Sequence, residues 1–178
     1  MRIISGTHKG NQIFPDKNFK ARPTTDFAKE NLFNVLNNNI DIEGINALDL
    51  FSGTGSISYE LASRGAGKII SIEANYNHFA FIKRTAQQLG FKNITVYKTD
   101  VFLACKKLKG QHFDLVFADP PYDLAQIMDI PAAIFNNELL TPEGIAVIEH
   151  PATVDFSSYP NFSEHRQYGS VNFSIFRQ

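Results

Sequence analysis

The sequence predicts a doubly wound, Rossmann-like α/β fold with a mostly parallel seven-stranded sheet, a C-terminal antiparallel hairpin and a small N-terminal β-hairpin extension. Three observations predict it. From Ile45 onward, apolar runs of strand length alternate with helical segments, the mark of repeated β-α-β units. The first of these strands runs into Asp49-Leu-Phe-Ser-Gly-Thr-Gly55, a glycine turn that opens a helix. The rhythm breaks near the end, where Glu164 to Tyr168 and Val171 to Phe176 flank Gly169-Ser170 as two hairpin strands flank a tight turn.

Taken in order, Arg2 to Ser5 and Asn11 to Phe14 are short strand candidates joined across Gly6-Thr-His-Lys-Gly10. Arg22-Pro-Thr-Thr-Asp26 leads into a helix of about three turns, with Thr25 or Asp26 as N-cap and Ala28, Leu32, Val35 and Leu36 on one face. Phe33 borders that face, and Asn37-Asn-Asn39 ends the helix. The parallel strands are read as Ala47 to Leu50, Ile69 to Ile72, Ile94 to Lys98, Leu115 to Ala118 and Ile145 to Ile148. Helices fill the gaps at Ser56 to Arg64, Tyr76 to Leu89, Val101 to Leu108 and, less regularly around Pro131, Leu124 to Asn136. Gly65, Gly90 and Gly110 stand where helix C-caps are wanted.

The 178 residues, 43% hydrophobic and without repeats or biased tracts, fit one domain over 1–178, divided into an arm over 1–25 and a catalytic core over 26–178. A single cysteine, Cys105, excludes an intramolecular disulfide and reads as a small buried apolar residue. The N-terminus lacks the apolar core of a signal peptide, and no apolar run reaches membrane-spanning length, so a monomer in the reducing cytoplasm is expected. Charge is unevenly spread. Residues 1–22 carry five basic side chains against Asp16, a net +4, and the rest of the chain carries −5. Arg2, Lys9, Lys17 and Lys20 could therefore lie along a phosphate backbone, or simply keep an edge soluble. The five histidines have no ligand spacing and no cysteine pair beside them, so no metal site is expected.

The chemistry concentrates at strand ends. Leu115 to Ala118 terminates in Asp119-Pro120-Pro121-Tyr122, where two prolines force the backbone to turn and leave the Pro120 carbonyl available to a ligand. A carboxylate beside a carbonyl suits the two hydrogens of a planar exocyclic amine, and Tyr122 offers a face for stacking its base. In isolation the four residues more readily describe an acid in a surface turn. Acids also end the other strands, at Asp49, Glu73, Asp100 and Glu149. Each alone could be a helix cap, but ligands of open α/β sheets bind at those carboxyl ends, so the five should share one rim. The third glycine of a dinucleotide fingerprint would fall on Ser58, and a pyrophosphate would meet unfavourable charge. A cofactor with a sulfonium, an ammonium, a ribose diol and an amino-purine would meet partners, and S-adenosylmethionine is such a molecule.

On Met1-Arg-Ile-Ile-Ser-Gly6, Arg22-Pro-Thr-Thr-Asp26, Glu30-x-Leu-Phe33, Asp49 to Gly55 and Asp119-Pro-Pro-Tyr122, the chain resembles the RsmD-type enzymes. These are class I S-adenosylmethionine-dependent methyltransferases that act on the guanine N2 amine of small-subunit ribosomal RNA. The glycine loop and D-P-P-Y occur in many amino-methyltransferases, whereas the first two segments are far more selective. Members carry a basic residue just after R-P-T-T-D, where this chain has Phe27. The resemblance implies that Gly53, Thr54 and Gly55 admit the methionyl part of S-adenosyl-L-methionine, with Asp49 near its ammonium. It places Glu73 on the ribose, Asp100 and Val101 around the adenine, and Arg22, Thr24 and Thr25 over the methionyl end. Asp119, Pro120, Pro121 and Tyr122 would hold the target base, flipped or unpaired. The implied partner is ribosomal RNA or a small-subunit assembly particle. A DNA adenine or cytosine amino-methyltransferase shares the chemistry, though 178 residues leave little room for target recognition. A protein glutamine methyltransferase is disfavoured because that group resembles N-P-P-Y, and a non-catalytic RNA-binding module is disfavoured by the intact Asp119.

Overall fold

In the computed structural model, residues 1–15 and 26–178 are described; the expected cap at Thr25, and the roles expected of Lys17, Lys20, Arg22 and Thr24, fall outside them. Seven strands form one sheet in the order β3-β2-β1-β4-β5-β7-β6, with β7 antiparallel to β5 and to β6 and the other pairs parallel. They are β1 Asn46–Leu50, β2 Lys68–Glu73, β3 Ile94–Lys98, β4 Phe113–Ala118, β5 Leu140–His150, β6 Phe162–Tyr168 and β7 Val171–Arg177. The helices are α1 Asp26–Asn37, α2 Ser56–Ser63, α3 Tyr76–Gln88, α4 Val101–Lys107 and α5 Ile130–Phe135. No helix among the described residues is long and apolar enough to cross a membrane.

The central strands read as apolar runs because helices cover both of their faces. Leu48, Ile70, Val116 and Ala146 share one buried cluster with residues of α4 and α5. Ala47, Ile69, Leu115 and Ile145, the alternate set, share another with Leu32, Phe33 and Leu36 of α1 and Ile57 and Leu61 of α2. Side chains alternate along a strand, so two residues beyond that second set the sheet faces α1 and α2 again. Those positions are Asp49, Ser71, Phe117 and Val147, and the next in the same phase are Glu73, Asp119 and Glu149. Strand order turns around between β1 and β4, which opens the crevice of a doubly wound sheet at their carboxyl ends.

Four expectations change in detail. The N-terminal hairpin shrinks to one antiparallel bridge, Arg2 to Gln12, flanked by amide bonds between Ile3 and Asn11 and between Ile13 and Met1. It cannot lengthen, because the amides of Ile4 and Ser5 are taken by the Glu60 carboxylate at 2.7 and 2.9 Å. The segment expected as a helix from Leu124 begins instead as successive turns and a 3₁₀ turn over Ile127–Asp129, with α5 starting only at Ile130. Pro131 fits the first turn of that helix, where its missing N–H costs nothing. Strand β5 is far longer than the apolar run Ile145 to Ile148. Its extra length contains Pro142 and Gly144, tolerated because the register with β4 shifts between Phe113 and Leu115. Finally, Phe33 and Lys29 of α1 are both fully buried, which the apolar pattern did not require of either.

Candidate active site

One cavity of about 890 Å³ lies at the carboxyl end of the sheet, and all five strand-end acids, Asp49, Glu73, Asp100, Asp119 and Glu149, line it. No lysine or arginine does so among the described residues. The glycine loop closes one side with Phe51, Ser52, Gly53 and Thr54, and Pro120, Pro121 and Tyr122 close another. The volume is near the upper end for a site that encloses one drug-sized ligand, so a nucleoside-bearing cofactor leaves space beside it.

Each acid is held differently. Asp49 is fully buried; the Ser58 hydroxyl donates to its Oδ2, and Ser58 lies 2.6 Å from the Ser71 hydroxyl. Burial pushes the Asp49 carboxyl up to about 7, against the opposing pull of the Ser58 and Ser52 hydrogen bonds. Ser58 thus occupies the position of the third fingerprint glycine and spends its hydroxyl on the acid behind the loop. Glu73 accepts the Gly53 amide on Oε2 at 2.8 Å and the Asn75 amide on Oε1 at 2.7 Å, with His78 Nδ1 at 3.8 Å. It therefore braces the glycine loop as well as facing the cavity. Asp100 is the N-cap of α4, accepting from the Leu103 amide at 3.0 Å, so the capping and cavity-facing readings coexist in one side chain. Val101, buried behind it, lines the cavity wall.

The turn after β1 is tightly specified. Phe51, a bulky residue, has φ 59, in the left-handed region that costs most side chains free energy. The two glycines that follow serve different ends. A Cβ on Gly53 would meet nothing closer than the Phe51 carbonyl at 3.9 Å, which leaves its cavity side open to close approach. One on Gly55, at φ +81, would stand 2.7 Å from the Tyr59 ring. Gly55 does not line the cavity; its place is fixed by packing. The Thr54 hydroxyl, turned toward Met1, reaches Sδ at 3.4 Å.

At the opposite wall, Asp119 has its carboxyl held well above the usual carboxylate range, first by burial and then by the charges of Glu149 and Asp49. The Tyr122 hydroxyl donates to Glu149 Oε1 at 3.1 Å while the residue as a whole stays 46% exposed. His150, one residue on, faces the other side of the sheet: Nδ1 donates to the Pro151 carbonyl at 3.0 Å, and Nε2 pairs with the Ser174 hydroxyl at 2.8 Å.

Of the basic arm, the described residues include Arg2 and Lys9. Arg2 is half-exposed and reaches Asp26 at 3.4 Å and Glu30 at 3.9 Å, while Lys9 is exposed at the turn between the bridged segments. Sequence reasoning missed three features. Phe27, 62% exposed, lines the cavity mouth, and so does the β6–β7 turn, Tyr168 to Val171. The third is a buried ion pair, Lys29 Nζ to Glu60 Oε2 at 3.4 Å, joined by Arg64 Nε to Glu60 Oε1 at 2.8 Å. Lysine and glutamate on separate helices carry no pairing signal in the sequence.

Comparison with known proteins places this geometry. The family model described as Conserved hypothetical protein 95 matches residues 1–177. Ribosomal RNA small subunit methyltransferase D of Buchnera aphidicola subsp. Baizongia pistaciae is 30% identical over 155 residues, covering 87% of this chain and 78% of its own. The Escherichia coli K12 protein of the same name is 28% identical over 183 residues, covering 100% of this chain and 90% of its own. Among solved structures, a hypothetical protein of Thermus thermophilus superposes with a TM-score of 0.87 at 23% identity, covering 100% of this chain and 99% of its own. An S-adenosylmethionine-dependent methyltransferase from Aquifex aeolicus superposes with a TM-score of 0.60 at 16% identity, over 81% of this chain and 87% of its own.

Proposed function

From the premise that the chain belongs to the Conserved hypothetical protein 95 family and is an RsmD-type enzyme, we propose that it methylates the exocyclic N2 amine of a guanine in small-subunit ribosomal RNA. Its relatives support a ribosomal RNA methyltransferase, its fold is that of class I methyltransferases, and the methyl donor is S-adenosylmethionine. The observation that carries the finer reading is the cavity itself, in which Asp119 of the D-P-P-Y turn stands with four other acids and, among the described residues, no lysine or arginine.

The residues present fit the cofactor. A cation-bearing ligand is favoured by the acids, and a nucleoside by their capacity to accept from a ribose diol and an adenine amine. Asp49 would hold the ammonium, Gly53 and Thr54 the methionyl stem, Glu73 the diol, and Asp100 with Val101 the adenine. Arg22, Thr24 and Thr25 would close over the methionyl end. When bound, S-adenosylmethionine supplies an electrophilic methyl on a sulfonium, which leaves with its bonding electrons as a neutral thioether.

The chain's own residues prepare the nucleophile. A guanine amine is a poor one while its lone pair is delocalised into the ring. Hydrogen bonds from its two hydrogens to Asp119 and the Pro120 carbonyl favour a pyramidal nitrogen with a localised pair. The Asp119 charge stabilises positive charge developing there, and its raised pKa makes it a competent acceptor for the proton the methylated amine must lose. Tyr122, half-exposed and with its hydroxyl on Glu149, would stack on the extruded base. Arg2 and Lys9, with Lys17 and Lys20, would meet the RNA backbone.

The test is transfer of a labelled methyl to small-subunit particles, naked small-subunit RNA, duplex DNA and protein from cells lacking the gene. Recovery of N2-methylguanosine from the RNA is expected, and label in adenine, cytosine or protein alone would overturn the reading. Asp119→Asn should keep the fold and cofactor binding while single-turnover transfer falls by about two to four orders of magnitude, the scale of a lost preorganised charge.

A further inference from the structure

Asp119 and Glu149 are lateral neighbours. Ala118 pairs with Ile148 as the last pair of the β4–β5 ladder, so Asp119 and Glu149 follow directly from adjacent parallel strands, and the Glu149 charge is felt at Asp119. Both line the cavity. Glu149 is 7% exposed, and the Tyr122 hydroxyl on its Oε1 ties the carboxylate to the D-P-P-Y turn. The wall that holds the target amine therefore presents a second carboxylate beside the first.

The exocyclic amines of the three amino-bases differ in their neighbour on the pairing edge. Beside the adenine and cytosine amines lies a ring nitrogen with a lone pair; beside the guanine N2 amine lies N1–H, a donor. Resting on the guanine reading above, we propose that Glu149 selects guanine by accepting its N1–H while Asp119 and the Pro120 carbonyl accept the hydrogens of N2. A carboxylate accepts several bonds at once, so the Tyr122 bond and an N1–H bond coexist on one side chain. Against adenine or cytosine the same carboxylate faces a lone pair and repels it. Glu149 is then a specificity residue: its neighbour Asp119 stabilises the charge of transfer, and Glu149 decides which base enters in register for it. The closeness of the two carboxylates is also felt in Asp119, where the Glu149 charge adds to burial in raising the pKa.

The experiment first locates the methylated guanine by digestion of small-subunit RNA treated with enzyme and labelled S-adenosylmethionine. That RNA is then rebuilt by splinted ligation with 2-aminopurine at the same position, which keeps the amine, replaces N1–H by a lone pair and removes the O6 carbonyl, so the assignment to N1–H rests on how Glu149 variants change the ratio. The wild-type enzyme is expected to favour guanine over 2-aminopurine by at least about a hundredfold in kcat/KM, as a site built for an N–H rejects an analogue lacking it. Glu149→Gln can turn an amide N–H toward that lone pair, so it should lose activity on guanine and narrow the ratio by about tenfold or more. Equal rates on the two RNAs with wild-type enzyme overturn the assignment of Glu149 and leave the guanine reading standing. So does an unchanged ratio in a Glu149→Gln protein that still binds S-adenosylhomocysteine. A first step that finds the methyl on adenine or cytosine overturns both. If Glu149→Gln fails to fold, the same ratio measured with Glu149→Ala decides, narrowing where Glu149 reads N1–H and an unchanged ratio overturning the assignment.

Discussion

The proposed placement of the ligand ammonium beside Asp49 makes cofactor binding a proton-linked event. The Asp49 carboxyl is pushed up to about 7 by burial, so in the free protein it is about 90% protonated at pH 6 and about 10% at pH 8. In the proposed complex the ligand ammonium lies beside Asp49 and favours the ionised form, which lowers its pKa. Binding at pH 6 should then release about 0.9 proton, and at pH 8 about 0.1. The affinity follows the same sign: the bound state prefers the ionised acid, so affinity should fall about tenfold per unit as pH drops below 7 and level off above it. Titration calorimetry with S-adenosylhomocysteine in two buffers of different ionisation enthalpy measures the protons directly. Asp49→Asn should abolish the buffer dependence at pH 6 and bind weakly at both pH values. Folding carries the opposite sign from the usual paired carboxylate. The native state holds this proton more tightly than the unfolded chain, so the cost of Asp49 appears as pH rises from about 4 to 7 and reaches on the order of 4 kcal/mol. Asp49→Asn should therefore melt higher than wild type at pH 8. A wild-type protein that binds equally at pH 6 and pH 8, with no buffer dependence of its enthalpy, would refute the placement of the ammonium.

The remaining predictions concern the loop, the rim and the arm. Gly55→Ala forces a Cβ into the Tyr59 ring at a left-handed φ and should cost about 2 to 4 kcal/mol of stability in denaturant unfolding. Gly53→Ala, with open space around its Cβ but a left-handed φ of +55, should lose about 1 to 2 kcal/mol of stability and bind S-adenosylhomocysteine more weakly; binding like wild type would remove the close approach assigned to it. Glu73→Ala should reduce ligand affinity roughly ten- to a hundredfold by calorimetry, from the direct bonds and from release of the Gly53 amide. Neutralising Arg2, Lys9, Lys17 and Lys20 together should flatten the salt dependence of RNA binding by up to about one unit of log K per log salt for each phosphate left without its cation, with cofactor affinity unchanged. An unaltered slope assigns Arg2 to its pairs with Asp26 and Glu30.

The sheet was legible because its signal is local and repeated. Strands β1 to β4, β6 and β7 fall within two residues of their expected bounds: burial on both faces makes the central ones largely apolar, while the exposed edge strand β6 was marked by the Gly169-Ser170 turn that follows it. Strand β5 was read short, because a proline and a glycine inside a strand look like its end unless the bulge that admits them is known. The shared rim was legible too: alternation and strand order together force Asp49, Glu73, Asp119 and Glu149 onto one side of one edge. What the sequence withheld is how each acid is held. That Asp100 caps a helix was one of the two readings open to it, but that Glu73 grips the glycine loop and that Tyr122 reaches Glu149 are facts of distance between residues 20 and 27 positions apart, and spacing alone encodes neither.

The same limit explains why the N-terminal segment looked like an appendage. Its charge marks it off from the body, yet its backbone is claimed by the core. Glu60, wholly buried on α2, accepts the Ile4 and Ser5 amides and is compensated by Lys29 of α1 and Arg64 of α2. A charge taken out of water is tolerable only when its lone pairs are filled, and here two backbone amides from the arm supply part of that filling. Lys29 in turn donates to the Arg2 carbonyl and to the hydroxyl of Ser56, the first residue of α2 and part of the cavity wall. Burial lowers the pKa of Lys29 and the Glu60 charge opposes that shift, so the pair holds only while both partners are present. The arm is thus bonded to α1 and α2 at the point where α2 leaves the glycine loop. Its removal would strip the buried carboxylate of two donors beside the cofactor site, which makes residues 1–15 part of the catalytic unit in energetic terms, whatever they contribute to RNA.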